Sequence, residues 1–245
     1  MFDRVFKHQE KTLTDRYLDC KLGEFKTTAL LLFQAPFIAA LIAYRFHDVT
    51  VTKFLYFSLA LSSLWFGCTN AAREIIKERS LFGRERLYNL NIGAYLISKI
   101  KILSMLGFIQ SLFLIVIVNY YVSLDGFIFF HIMNAFFTTL GGIALGLLIS
   151  TLVNSVHQAD ALIPIVLIPQ ILFSPIVMPE RFLSGWAPYI EKLMILKWSY
   201  SAFIELVSKQ GQISNFLAYD CIMMIMVIVM ITMAGFFLKH KKIIY

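Results

Sequence analysis

The chain has 245 residues, of which 59% are hydrophobic, 15% aromatic and only 15% charged, and its mean hydropathy is +0.74. Ordinary soluble domains carry about a quarter charged residues, so this composition excludes a water-soluble globular protein and points to a membrane protein. The formal net charge of +7 reads as the positive-inside bias of membrane proteins rather than a nucleic-acid footprint, because the basic residues flank apolar runs.

The first 26 residues have no apolar core and no small-residue cleavage site, which argues against a signal peptide. Within them Leu13, Tyr17, Leu18, Leu22 and Phe25 recur at helical spacings between Asp15, Arg16, Asp19, Lys21 and Glu24. Thr12-x-x-Asp15 has the form of a capping box. The segment is predicted to be an amphipathic helix lying along the inner membrane surface.

Six charge-free runs follow, at 27–44, 54–72, 102–124, 126–157, 161–179 and 221–238. Each approaches or exceeds the roughly 20 residues a helix needs to cross hydrocarbon. None shows the alternation of barrel strands, so the fold class is all-α: a single polytopic domain over 1–245 with six transmembrane helices. The fourth run is longer than a span needs, and its ends are expected in loops. The outer segments hold only Arg45, Lys53, Arg181, Lys192, Lys197 and Lys209 of the 22 basic residues. Both termini are therefore predicted to be cytoplasmic.

Between the second and third runs lies REIIKERSLFGRERLYNLNIGAYLISKIK, residues 73–101, the main cytoplasmic feature. The second helix is expected to continue through Arg73 to Lys77, residues 80–83 to turn, and 84–90 to form a short helix. Asn89 and Asn91 tolerate the left-handed conformation that closes a helix, and Gly93 allows a bend into the third span. Leu81, Phe82, Leu87 and Tyr88 stand among three charges, a pattern of apolar anchors with an electrostatic rim that suits docking of a soluble protein. A loop that merely set topology would need the basic residues but not the aromatics or the balancing glutamates.

Further along, Gly142 and Gly146 form GxxxG, a close-packing device. The fifth run carries Pro164, Pro169, Pro175 and Pro179, so its helix is expected to be kinked or broken, as a pore-lining or gating helix would be. The outer segment 180–220 is too long for a turn and still apolar. Its Trp186, Tyr189, Trp198 and Tyr200 suit short helices dipping into the outer leaflet.

Absent chemistry narrows the function. No charge lies inside the six runs, which disfavours an ion-coupled carrier, and His131 and His157 fall near span ends as interfacial residues. There is no HExxH, GxSxG or intramembrane aspartate pair, and Ser174 and Ser199 have no base nearby in sequence. Cys20, Cys68 and Cys221 have no CxxC or Cys/His spacing, so neither a metal site nor a disulfide framework is expected. No catalytic residue is assigned. No GxxxxGK[ST] loop is present, so ATP-driven work would draw on another polypeptide.

Glu78, Arg79, Phe82, Arg84, Glu85, Arg86, Tyr95 and Lys99 resemble the hallmark of the membrane subunits of ABC exporters of the G-subfamily (type-2) kind: E-x-x-x-x-x-R-E-R after the second helix, then Tyr and Lys opening the third. Asn89 stands where a glycine is common. The resemblance covers nearly the whole chain. It includes the amphipathic connecting helix (1–26), the coupling segment (73–101) and ILFSPIVMPERFLSGWAPYIEKLMILKWSYSAFIEL, which is similar to the family's fifth helix, gate and re-entrant helices (180–220). The nucleotide-binding domain that eukaryotic members fuse to this unit is missing here, as in bacterial relatives that carry it on a separate chain.

The resemblance implies a permease subunit in the cytoplasmic (inner) membrane. It would pair with a second permease copy, most simply as a homodimer, and with two ABC ATPase subunits. It would bind no cofactor itself, ATP and Mg belonging to the ATPases. Membrane lipid is a partner and nucleic acid is not. Glu78, Arg79, Phe82, Arg84, Glu85, Arg86 and Tyr88 would couple to the ATPase. Ser63 and Phe66 on the second helix, and Ile168 and Ile171 on the fifth, would line the substrate path. Ile176 and Val177 would form an outer gate, with Pro175 replacing the usual small residue. For each path residue ordinary packing is an equal alternative. Apolar and aromatic candidates suit a lipid, glycolipid, lipidated peptide or drug, with polysaccharide left open. The alternatives are a non-transporting scaffold that recruits a partner through the same segment, and, less favoured, an ion-coupled carrier.

Overall fold

The computed structural model describes residues 2–47, 52–178, 185–208 and 211–241, with side chains from Phe6 onward. Among the described residues all regular structure is helical. The helices are α1 (Phe2–Gly23), α2 (Phe25–Phe46), α3 (Lys53–Ala71), α4 (Glu74–Lys77), α5 (Arg79–Leu87), α6 (Ile92–Val122), α7 (Ile128–Leu152), α8 (Val156–Leu172), α9 (Ala187–Lys192), α10 (Ile195–Val207) and α11 (Ile213–His240).

Helices are expected wherever backbone polar groups leave water, because each N–H then bonds within its own segment. Four of them, α2, α6, α7 and α11, are long and apolar enough to cross a membrane. α3 has 19 residues but is diluted by Ser58, Ser62, Ser63, Thr69 and Asn70. α8 has 17 residues, about 25 Å at 1.5 Å per residue, short of a roughly 30 Å hydrocarbon core. Length and hydropathy therefore identify four spans, against six charge-free runs in the sequence.

The helix bounds differ from the runs in informative ways. α6 begins ten residues before its run, carrying Lys99 and Lys101 in its first turns. α11 begins at Ile213, so Asp220 lies inside a membrane-length helix rather than before it. α8 continues unbroken through Pro164 and Pro169 and stops at Leu172, ahead of Pro175; Pro179 lies outside the described residues. The 80–83 stretch is helical, part of α5, rather than a turn. Asn89 does take a left-handed conformation at φ 61°. Asn91 instead is extended and caps α6, its side chain accepting from Gly93 N at 2.9 Å and Ala94 N at 3.3 Å. Thr12 is no cap: α1 runs past it, and its hydroxyl donates to His8 O at 3.0 Å.

Glycines set the centre of the bundle. Gly67 on α3 faces the α7 backbone at Thr139, Gly142 and Ile143, and Gly146 on α7 faces Cys68 O of α3, where a Cβ would stand only 2.6 Å away. The GxxxG pair thus seats α7 on α3, the most extensive helix contact in the fold. α2 lies on α6, and α10 wedges among α3, α7 and α11. His131, in the first turn of α7, faces the protein rather than lipid: it is buried, bonds Asp125 O at 2.7 Å and forms a three-ring cluster with Tyr56 and Phe203. Tyr200 is likewise core, whereas Trp186 and Tyr189 are exposed.

A second, smaller core closes one end of the bundle, where α1 meets α4, α5, the start of α6 and the ends of α7 and α11. It includes Leu13, Tyr17, Ile75, Phe82, Tyr95 and Leu238. This charged end is where residues 73–101 fold. α1 buries Leu13 and Tyr17 there, yet leaves Leu22 exposed, as α2 does Phe25 at its first position.

Candidate functional site

The charged end is assembled around buried carboxylates. α4 presents Glu74, and the single residue between α4 and α5 is Glu78. Lys21 of α1 pairs with Glu74 at 2.7 Å, and the Tyr17 hydroxyl donates to the other Glu74 oxygen. Burial, reinforced by the Glu74 charge, pushes the Tyr17 phenol well above its ordinary range, so it remains a donor. Lys99, only 1% exposed, pairs with Glu78 at 2.6 Å and stands 3.5 Å from the centre of the Tyr17 ring. Phe82 packs on Tyr95 with ring centroids 4.9 Å apart.

An outer tier of bonds fastens α5 to α1, to the linker after α7 and to α11, and ties its flanking residues Lys77, Asn89 and Asn91 to the N-terminal segment. Arg16 of α1 pairs with Glu85. Arg79 donates to Asn154 Oδ1 at 2.8 Å. Arg86 donates to the carbonyls of Leu238 and Lys241 at 3.1 Å each, and to that of Lys239. These are the orphan acceptors at the α11 C-terminus, where a cation also meets the negative end of the helix dipole. Lys77 pairs with Glu24 at 3.0 Å and holds the Glu24 carboxyl below its usual range. Gln9 bonds Asn89 O at 3.3 Å and receives Asn91 N at 3.1 Å.

The expected coupling residues therefore divide. Glu78, Arg79, Glu85 and Arg86 turn inward to partners on the same chain, and Phe82 is buried in the core rather than presented as an exposed anchor. Arg84 and Tyr88 face outward, Tyr88 at 86% exposure, beside Leu87. An exposed apolar-aromatic pair, with an arginine that has no ion-pair partner among the described residues, is left on the outer side of a helix bonded to the bundle from behind.

The path candidates are spread more widely. Ser63 is buried and donates to Leu59 O at 2.8 Å, and Phe66 is fully buried in the central core. Ile171 packs half-buried on that same core. Ile168 is exposed in line with Ile165 and Leu172, an apolar face of α8, and Val177 beyond the helix is exposed too, while Ile176 is half-buried. α8 touches α3, α7 and α10 only lightly.

Several groups had no signal in sequence spacing. Tyr17, Lys21 and Glu74 join the buried cluster from positions more than 50 residues apart. At the opposite end Glu191 and Lys197 form a buried pair at 3.0 Å. Asp220 is 2% exposed, and neither of its carboxyl oxygens has a hydrogen-bond partner among the described residues. No cluster of three or more metal-ligating side chains occurs among the described residues.

No curated protein matches the sequence. Residues 8–207 match the sequence model of the family described as ABC-2 type transporter. That match takes in the α1 clamp (Arg16, Tyr17 and Lys21, which hold Glu85 and Glu74), α5 and every path candidate, and with the membrane-length helices it accounts for a charged end built on an apolar bundle. The chain belongs to the ABC-2 type transporter membrane family, whose members are permease subunits working with an ABC ATPase.

Proposed function

We propose that the chain is the permease of an ATP-driven exporter, working as a pair of permeases with two separate ATPase chains, and that α5 is its coupling helix. The observation that carries the reading is the two-sided character of α5. Its inner side is bonded to α1, α7's C-terminal linker and α11, while Leu87, Tyr88 and Arg84 project outward. A helix of this kind passes a push on its outer face into the bundle as a rigid-body displacement instead of absorbing it locally. ATP and Mg would act on the partner.

Six spans follow if α3 and α8 join the four longer helices, with α9 and α10 as the re-entrant elements and both termini in the cytoplasm. The outward apolar face of α8, with Ile165, Ile168 and Leu172, supports a second permease copy across a shared path. Phe66 and Ser63 would reach that path only if the α3 face is uncovered in the inward-open state. An apolar path favours a lipid, glycolipid, lipidated peptide or drug.

The test is reconstitution of the permease with its ATPase. Tyr88→Ala and Leu87→Asp lie outside the buried network, so the variants should fold normally yet lose transport, with substrate-stimulated ATPase falling at least fivefold. Retained coupling in both variants would remove α5 from this role. The scaffold reading predicts no substrate-stimulated ATPase in the unmodified protein either.

A further inference from the structure

Behind α5, on the side facing the bundle, lies a cavity of about 50 Å³. Arg79 and Arg86 of α5, Lys241 at the end of α11 and Ser150 of α7 line it, with Ile76 and Leu238 among its apolar walls. No carboxylate lines it among the described residues. Three full positive charges thus converge where their known partners are neutral: Asn154 for Arg79, backbone carbonyls for Arg86, and the carbonyls of Thr151 and Val153 for Lys241 at 2.5 and 2.9 Å. Burial, and then the neighbouring Arg79 charge, lower the proton affinity of the Lys241 ammonium. A cationic site crowded in this way gains from an anion.

The donors for one are present. A guanidinium has five N–H groups and an ammonium three, so Arg79 and Lys241 keep hydrogens beyond the bonds described. Ser150, 1% exposed, accepts from Ile75 N at 3.0 Å and Ile76 N at 3.1 Å, and its own hydroxyl proton has no acceptor among the described residues. A water needs about 10–15 Å³ of such space, so the cavity holds roughly three to five waters, room for the oxygens of one tetrahedral oxyanion. Planar guanidinium forks beside an ammonium are the side chains that recognise phosphate. The position, at the last turns of two membrane-length helices, is the depth at which lipid headgroups lie, and basic pockets there take anionic headgroups.

We propose that this cavity binds a phosphate group, its source being the headgroup of an anionic lipid, and that the bound phosphate ties α5 to the ends of α7 and α11. The inference does not rest on the exporter reading, since it concerns binding by the isolated chain.

Native mass spectrometry of the purified full-length chain, titrated separately with phosphatidylglycerol, phosphatidylcholine and inorganic phosphate, tests it. One phosphatidylglycerol should be retained at a concentration at least tenfold below that needed for phosphatidylcholine. Arg79→Gln with Lys241→Gln should weaken that binding about tenfold, and Arg79→Gln alone, which leaves the Lys241 bonds intact, at least threefold. Arg79→Lys with Lys241→Arg should keep it. Lys26→Gln with Lys239→Gln removes the same charge from exposed positions outside the cavity and should change nothing. If inorganic phosphate binds with the same variant dependence while the two lipids do not differ, the site takes free phosphate and the lipid source is overturned. If neither ligand responds to the cavity variants, or the surface pair weakens binding equally, the site itself is overturned.

Discussion

Lys99 shows how much one side chain decides at the charged end. It is a cation in the first turns of an otherwise apolar helix, almost wholly buried, with Glu78 at 2.6 Å and an aromatic ring beneath it. Removing one member of a buried pair leaves the other charge without compensation, which costs about 3–5 kcal/mol. Lys99→Met is therefore expected to lower thermal stability severely, and adding Glu78→Gln should recover much of the loss. Recovery is the diagnostic result, because equal losses in the single and double variants would mean that the pair itself contributes little. Asp220 is the opposite case. Its carboxyl is buried without a hydrogen-bond partner among the described residues, so a charge there would bear desolvation with no return. Asp220→Asn, of the same shape, should leave the melting temperature unchanged or raised. A fall of several degrees would reveal a partner that depends on the carboxylate.

At the scale of elements, the α3–α7 contact depends on glycine in a way no other pair of helices here does. A Cβ at Gly67 or Gly142 would run into backbone atoms of the facing helix, which cannot rotate aside as a side chain can. Gly142→Val is expected to abolish folded yield in membranes. Gly23→Ala, where nothing lies within 4 Å, should be silent. Folded protein from Gly142→Val at normal yield would mean the helices can separate without cost. The GxxxG spacing was legible in the sequence; that its partner is α3, through Gly67 and Leu64, was not. α5 was legible too as an element, because RERLYNL is framed by apolar helices. Its length and facing were not, since whether Phe82 or Tyr88 points outward depends on where α6 puts Tyr95.

For the molecule as a whole, the arrangement places the α1 clamp, α5 and the ends of α7 and α11 at one end, and α9 and α10 at the other. The proposed topology makes the first end cytoplasmic. Cys20 on α1 is exposed and Cys68 is buried. With Cys221 replaced by Ser, a membrane-impermeant maleimide should label Cys20 in inside-out vesicles and not in right-side-out ones. Labelling from the outside would invert the topology and place α5 where no ATPase can reach it.

Composition and hydropathy are local, additive properties, and they determined by themselves that this is a helical membrane protein with its charge gathered between two apolar runs. The same locality explains the run boundaries, which followed charge rather than backbone hydrogen bonding and so left Asp220 outside α11 and Lys99 outside α6. Only the tertiary structure decided what each charge does. Arg86 bonds carbonyls more than 150 residues away in sequence, and Tyr17 reaches Glu74 across 57. Those distances vanish only once α7 has seated on α3 and drawn the helix ends together. Desolvation and pairing energies depend on that assembled geometry, so a stretch that reads in sequence as a uniform charged surface folds into a buried network with one exposed edge.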